Sequence, residues 1–370
     1  MPPAVVHDYL NQLGGAEKTL NVFLRIVPDA TVYTSVALPH VVAACVPLAL
    51  SVKPSFLQHL PLAATHTRLY LPLLPKAFER MNLRGHQLVV SISSAFAKGV
   101  YTPEGVPHLC YCQTPMRFAW NLDGYIRYER VSPVTRAMVR LLMVRFREWD
   151  VRSSQRVAEF IAISRTVQER IRRFYGRESR IIYPPVDTHL YHPVPPSEKG
   201  DYYLVLSRLL PYKRIDVAVE ACNRLHVPLI VAGEGRDEPR LRQLAGPTVQ
   251  FAGRVSDEEA IRLLARARAL ILTAEEDFGL TPVEAMASGT PVIAYRGGGA
   301  TETVQEGQTG MFFDRQEPES LMEAIGRYNP SDFDPLRCVE RAKRFDSGRF
   351  LSQWRELLAE YGYRGQAAAA

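Results

Sequence analysis

The sequence predicts an α/β protein built from two doubly wound, Rossmann-like parallel-sheet domains. Three observations carry this. The chain has 370 residues, long for a single hydrophobic core. Short apolar runs bounded by turn residues alternate with stretches of helical period. That is the pattern of βαβ units whose sheet is covered on both faces. A proline-rich stretch, "IIYPPVDT" at 181–188 and then "HPVPPSEKGD", divides the chain near its middle. The expected division is residues 1–185, residues 186–345, and a last segment, 346–370, that reads as a helix followed by a disordered tail.

The second half is the clearer one. "YYLVLS" (202–207), "PLIVAG" (228–233), "VQFAG" (249–253), "ALILTA" (269–274), "PVIAY" (291–295) and "GMFF" (310–313) read as buried strands. "IDVAVEACNRL" (215–225) and "DEEAIRLLARAR" (257–268) read as the helices between them. In the first half "PAVVH", "TVYTSV", "QLVVSISS", "HLCYC" and "FIAIS" read as strands, and 15–27 and 165–175 as helices. Residues 133–156 have the pattern of a long amphipathic helix.

Composition narrows the function. At 46% hydrophobic and 23% charged residues the chain is ordinary globular protein. Its five cysteines show neither C-x-x-C nor zinc spacing, as expected of a reduced, cytosolic protein without a structural metal. "MPPAVVHDYL" does not read as a signal peptide, and no apolar run approaches the roughly 20 residues that span a bilayer. Residues 1–185 hold 23 Lys and Arg against 12 Asp and Glu, whereas residues 186–370 hold 22 against 27. A basic first half and an acidic second half imply different partners for the two domains.

Doubly wound sheets bind ligands beyond the carboxyl ends of their strands, so motifs there matter most. After "YYLVLS" comes "RLLPYKR", which places Arg208 and Lys213 beside the start of a helix. Two cations at a helix N-terminus form an anion site suited to a diphosphate. After "LIVAG" comes a tight glycine turn, but neither G-x-G-x-x-G nor a P-loop motif occurs in the chain. This counts against dinucleotide-dependent dehydrogenases and P-loop NTPases. After "ALILTA" comes "EEDFGLTPVEAMASG", in which Glu276 and Glu284 are separated by seven residues. Gly279 allows a tight turn and close backbone approach. Glu284 falls one turn into a helix expected to begin near Thr281, where a carboxylate can hold a vicinal diol such as a ribose. Glu276, forward on the loop, reaches a different part of the same ligand. Acids at a helix start also complement its dipole, which suffices for Asp277.

With these residues in view, "EEDFGLTPVEAMASGTPVIAYRGGGATETV" resembles the signature of retaining glycosyltransferases of family four, which have the GT-B fold. The resemblance extends to "SRLLPYKRIDVAVEAC", "YPPVDTHLYHP", "FAGRVSDEEA", "HLCYCQTPMRFAW" and "GGAEKTL", and so touches most of the chain. It implies two Rossmann-like domains flanking a cleft, with the last helix crossing back to the first domain. The implied activity is transfer of a hexose from a nucleotide sugar held mainly by the second domain. The resemblance assigns the diphosphate to Arg208 and Lys213, the ribose to Glu284 and the sugar hydroxyls to Glu276. It places the amides of Phe278, Gly279 and Leu280 near sugar and phosphate, and Arg254 and Val255 beside the base. Gly233 joins the donor site. Gly14 and Gly15 close on the diphosphate or the acceptor from the first domain.

The leaving group is then a nucleoside diphosphate, whose growing charge fixed cations and helix dipoles can stabilise without a metal. No D-x-D motif lies near a strand end. The resemblance implies a front-face reaction in which the leaving phosphate oxygen takes the acceptor proton, with no cofactor. "YCQTPMRFAW" departs from the family at Gln113, where histidine is usual, and "FIAIS" departs at Ile163, where asparagine is frequent. The resemblance places Gln113 by the transferred sugar; its side chain cannot titrate near neutrality and can still donate a hydrogen bond. His7, Asp8 and Arg117 are candidates for the acceptor side. The nearest subset of the family by motif leans to GDP-mannose-dependent mannosyltransferases of polysaccharide or lipid-linked glycan synthesis. A UDP- or dTDP-sugar-dependent transferase, or a catalytically weak sugar-nucleotide-binding protein, stands as the alternative. The acceptor is a glycan or a polyprenyl-linked glycan, and no nucleic acid is expected. The location is cytoplasmic, with a peripheral seat on the inner face of the cytoplasmic membrane as an option. Residues 127–156 motivate that option, since they hold Arg127, Arg130, Arg136, Arg140, Arg145, Arg147, Arg152 and Arg156 against three acids.

Overall fold

The computed structural model describes residues 1–122 and 133–364. Two compact units emerge: residues 1–183 with the chain from Phe350 onward, and Pro184–Arg349.

The first unit holds a parallel sheet of seven strands. These are β1 (Ala4–His7), β2 (Thr31–Thr34), β3 (Ser51–Pro54), β4 (Val89–Ser93), β5 (His108–Cys112), β6 (Glu159–Ala162) and β7 (Ser179–Ile181), in the order β3-β2-β1-β4-β5-β6-β7. The second holds six: β8 (Tyr203–Leu206), β9 (Leu229–Ala232), β10 (Val249–Gly253), β11 (Ala269–Leu272), β12 (Val292–Tyr295) and β13 (Gly310–Phe313), in the order β10-β9-β8-β11-β12-β13. Every pairing in both sheets is parallel. The strand order reverses between β1 and β4 and again between β8 and β11, so each sheet has one switch point.

Central strands are apolar runs because both faces are covered. β1, β4, β5 and β11 are buried along their whole length. The helix Arg165–Tyr175 has clear ends: Ser164 accepts from the Val167 amide, and Gly176 closes it in the left-handed region at φ 64°. The long helix runs Pro133–Ser154 and buries Met143, Phe146 and Trp149. The C-terminal helix, Ser347–Glu360, carries Trp354 into the core of the first unit. There it is fully buried, edge-on to Phe23 at 4.8 Å and Tyr111 at 5.5 Å. Among the described residues no helix is long and apolar enough to cross a membrane.

Candidate functional site

The carboxyl edge of the second sheet gathers the motif residues of this unit. β8 is followed by Ser207, whose amide bonds to the Ala232 carbonyl at 3.0 Å, and the Leu209 amide bonds likewise to the Glu234 carbonyl at 2.9 Å. These bonds press the chain after β8 against the turn after β9, where a Cβ on Gly233 would overlap the Ser207 carbonyl. Leu209 is fully buried and pins the loop, which leaves Arg208 exposed. The chain then makes the single turn Pro211–Lys213. The Thr273 hydroxyl donates to the Lys213 carbonyl at 2.8 Å and fastens that turn to the end of β11. Lys213 and Thr281, with Ser207, Thr273 and Ala274, line one depression.

Across the switch point the Lys213 ammonium forms an ion pair with the Glu276 carboxylate, with both side chains largely buried. The sequence places these groups 63 residues apart. Glu276 is held by its backbone as well: its carbonyl accepts from the Gly299 amide at 2.8 Å. A Cβ on Gly298 would overlap that carbonyl, and one on Gly299 would overlap Phe278. The glycines of "YRGGGATE" are therefore spacers that let two backbones touch. Phe278 turns inward, 3% exposed, edge-on to Phe345 at 5.4 Å. Gly279, at φ 89°, starts the helix Leu280–Ala287, one residue earlier than expected and with no side-chain cap. The first amides of this helix are thus not consumed by a capping side chain, as an anion or sugar hydroxyl requires.

Glu284 lies on that helix, half-buried. Burial, together with the nearby Glu284 charge, raises the Tyr191 phenol well above its ordinary pKa. Sequence reasoning assigned Tyr191 no part. The signal was available only as the segment "YPPVDTHLYHP". Arg254, exposed, and Val255, half-buried, follow β10, and the Gly253 carbonyl accepts from the Gly233 amide at 2.7 Å. The residues after β10, β9, β8 and β11 thus lie side by side along four adjacent strand ends.

The first unit departs from expectation at the end of β1. Asp8 is 2% exposed and accepts five hydrogen bonds. Four come from the amides of Ser94, Ala95, Phe96 and Ala97 at 2.6–2.9 Å, and the fifth from the Ser94 hydroxyl. This carboxylate shapes the turn after β4 rather than facing an acceptor, because its lone pairs are already used. His7 is also 2% exposed and turns inward to Glu17, 3.3 Å away. Gly14 precedes the helix Gly15–Leu24, which has no side-chain cap; Gly15 is exposed. Gln113 follows β5, half-buried, its amide bonded to the Ser93 carbonyl at 2.8 Å.

"MRFAW" resolves as packing inside the first unit. Arg117, half-buried, opens the turn Arg117–Trp120. Trp120 donates to Asp150 at 2.7 Å and stacks on Phe174 at 4.3 Å. Asp150 is fully buried and also takes Lys98 and the Tyr175 hydroxyl. Such a buried ion pair survives only with its remaining lone pairs satisfied, as they are here. Nearby, burial and the charges of Arg156 and Lys98 push the His108 imidazole down to about 3, so it is neutral.

Arg127 and Arg130 lie outside the described residues. The rest of the basic stretch lies on the Pro133–Ser154 helix or just after it.

Comparison with known proteins fits this geometry. Residues 190–345 match the family model "Glycosyl transferases group 1". That span is most of the second unit, and it contains Lys213, Glu276 and Glu284. The chain is 31% identical over 187 residues to D-inositol 3-phosphate glycosyltransferase of Nocardioides sp., covering 41% of each protein. It is 22% identical over 293 residues to glycogen synthase of Pseudomonas syringae pv. tomato, covering 74% of this chain and 53% of that protein. The chain spans about half the length of such curated relatives. Among solved structures, sucrose-phosphate synthase from Thermosynechococcus elongatus superposes with a TM-score of 0.74 at 17% identity, covering 97% of this chain and 99% of that one. HepE of Anabaena in complex with UDP-glucose superposes with a TM-score of 0.70 at 20% identity, covering 97% and 100%. The fold is therefore that of GT-B glycosyltransferases, with two Rossmann-like parallel-sheet domains.

Proposed function

We propose that the chain is a retaining glycosyltransferase moving a hexose from a nucleotide sugar to a glycan or polyprenyl-linked acceptor. The observation that carries this reading is the Lys213–Glu276 pair at the switch point, at the mouth of the uncapped Leu280–Ala287 helix. A diphosphate competes with Glu276 for Lys213. Once it does, the freed carboxylate is available to sugar hydroxyls, and Arg208 stands on the loop after the neighbouring strand. Four adjacent strand ends span roughly 14 Å at about 4.8 Å per strand, which accommodates base, diphosphate and sugar in a line. Fixed cations and helix amides would stabilise the departing diphosphate without a metal. In a front-face reaction its oxygen takes the proton of the acceptor hydroxyl, the bond to the sugar's anomeric carbon breaks, and the new glycosidic bond forms on the same face.

GDP-mannose is the first donor to test. A GDP-mannose-dependent mannosyltransferase of Corynebacterium glutamicum is 34% identical over 135 residues, 32% of this chain and 35% of that protein. A UDP-sugar is the alternative, as in the HepE complex with UDP-glucose. Thermal shifts with GDP-, UDP-, ADP- and dTDP-sugars decide between them, followed by donor hydrolysis with and without EDTA. GDP-mannose is expected to give the largest shift, and hydrolysis is expected to persist in EDTA. A larger shift with a UDP-sugar moves the donor; no shift with any of the four removes the reading. Binding without hydrolysis or transfer favours a sugar-nucleotide-binding protein.

A further inference from the structure

Lys213 and Glu276 face each other from two loops that are each fastened by their own backbone. On one side the Thr273 hydroxyl donates to the Lys213 carbonyl at 2.8 Å, and the Lys213 amide donates to the Leu210 carbonyl at 2.9 Å. On the other the Gly299 amide donates to the Glu276 carbonyl at 2.8 Å, and Glu276 forms an isolated parallel bridge with Gly298. Neither loop needs the ion pair between the side chains to hold its place. Yet the ammonium suited to a phosphate oxygen is occupied by a carboxylate, in a pair whose side chains are only 12% and 19% exposed. Among the described residues Glu276 is the one carboxylate in ion-pair range of Lys213.

We propose that the Lys213–Glu276 pair is a latch that biases the site toward a nucleotide sugar and against the nucleoside diphosphate left after transfer. The inference rests on the reading of Lys213 as a diphosphate-binding cation. Either ligand must part the pair to put a diphosphate oxygen on the ammonium. What Glu276 receives in exchange differs. A nucleotide sugar carries hydroxyls, which donate to a carboxylate in charge-assisted hydrogen bonds. A nucleoside diphosphate has no sugar there. Its terminal phosphate is mostly ionised at neutral pH and presents acceptors and negative charge, so the carboxylate is left part-buried, without its cation and beside a like charge. Removing one partner of such a pair is strongly unfavourable when the other stays out of water. The product therefore binds against the latch, and Glu276 returns to Lys213 as it leaves. Glutamine has the size of glutamate without its charge, so Glu276→Gln removes the latch and keeps the shape.

The test is calorimetric titration of the full chain with UDP, UDP-glucose, GDP and GDP-mannose. For the base that binds, Glu276→Gln should tighten the nucleoside diphosphate about tenfold, between the effect of an exposed ion pair and that of a buried one. The matching nucleotide sugar should change less than about threefold, because the glutamine amide still bonds to hydroxyls. The ratio of the two affinities then moves toward the product. Glu275→Gln, at the exposed neighbouring carboxylate, should change either ligand less than about twofold. If Glu276→Gln leaves the nucleoside diphosphate unchanged or weakens it, there is no latch. If it tightens both ligands equally, or if Glu275→Gln tightens the diphosphate as much, general charge repulsion accounts for the effect and the proposal is overturned. If the wild type binds none of the four ligands, the reading of the site as a nucleotide-sugar site fails first, and the latch with it.

Discussion

Glu276 and Glu284 show how far single residues could be read. Two carboxylates with Gly279 between them were read as a ligand site because the alternative, charge complementing a helix dipole, needs neither the glycine nor a half-buried position on the helix. Their placement predicts different roles. Glu276 pairs with Lys213 on the loop, whereas Glu284 sits half-buried on the helix. Glu284→Gln should mainly raise the KM for donor, and Glu276→Gln should mainly lower kcat; steady-state kinetics with variable donor checks this, and equal effects on KM would refute it. Asp8 and Tyr191 show the limit. A polar residue at a strand end looks the same in sequence whether it meets a ligand or, like Asp8, four backbone amides. Tyr191 feels the charge of Glu284, far along the chain, and only the fold brings the two near each other. Gln113 carries a third prediction. Losing a proton carrier typically costs 10²–10⁴ in rate, while one neutral hydrogen bond is worth about 0.5–1.5 kcal/mol and glutamine can replace it. In a front-face reaction no side-chain base is needed, so Gln113→His should change turnover by less than about tenfold, or 1.4 kcal/mol. A hundredfold gain would mean the native chain is a crippled transferase.

At the scale of elements, the strands were legible except for the two edge strands of the first sheet. β1, β4, β5 and β11 are mostly apolar because they are buried along their whole length. β3 is mostly exposed and ends in Pro54, and β7 is a three-residue edge strand, so neither carries a hydrophobic pattern. The Pro133–Ser154 helix was legible through its length, yet its outer face needed the structure. Met138 is 68% exposed and Leu141 65% exposed, beside exposed Arg140 and Arg145. Apolar side chains flanked by cations suit an anionic bilayer surface, where each basic residue contributes about 1 kcal/mol. Liposome flotation should therefore show binding to anionic vesicles at low salt that high salt reverses. The double change Met138→Ser with Leu141→Ser should weaken it. Absence of binding at low salt would favour a soluble acceptor.

At the scale of the whole molecule, the two-domain plan followed from alternating apolar and amphipathic segments and a proline-marked break. What the pattern alone did not give was where the last helix belongs. An amphipathic helix reads alike whichever core receives it, and it was the family resemblance that assigned it to the first domain. The structure places Trp354 among Phe23, Tyr111 and Phe350 of the first unit. The chain therefore enters its first domain twice, and that domain is complete only once the second has been threaded. All three tryptophans of the chain, Trp120, Trp149 and Trp354, lie in the first unit, so tryptophan fluorescence reports on it alone. Truncating a fully buried tryptophan costs about 3–5 kcal/mol. Trp354→Ala should lower the urea midpoint followed by the two remaining tryptophans accordingly, while nucleotide binding by the second unit survives in the absence of urea. A fluorescence midpoint that shifts by less than about 1 kcal/mol would show that the last helix is dispensable to the first domain's core. Loss of nucleotide binding in a variant that is still folded would show that the two units are not independent in the way their separate sheets imply.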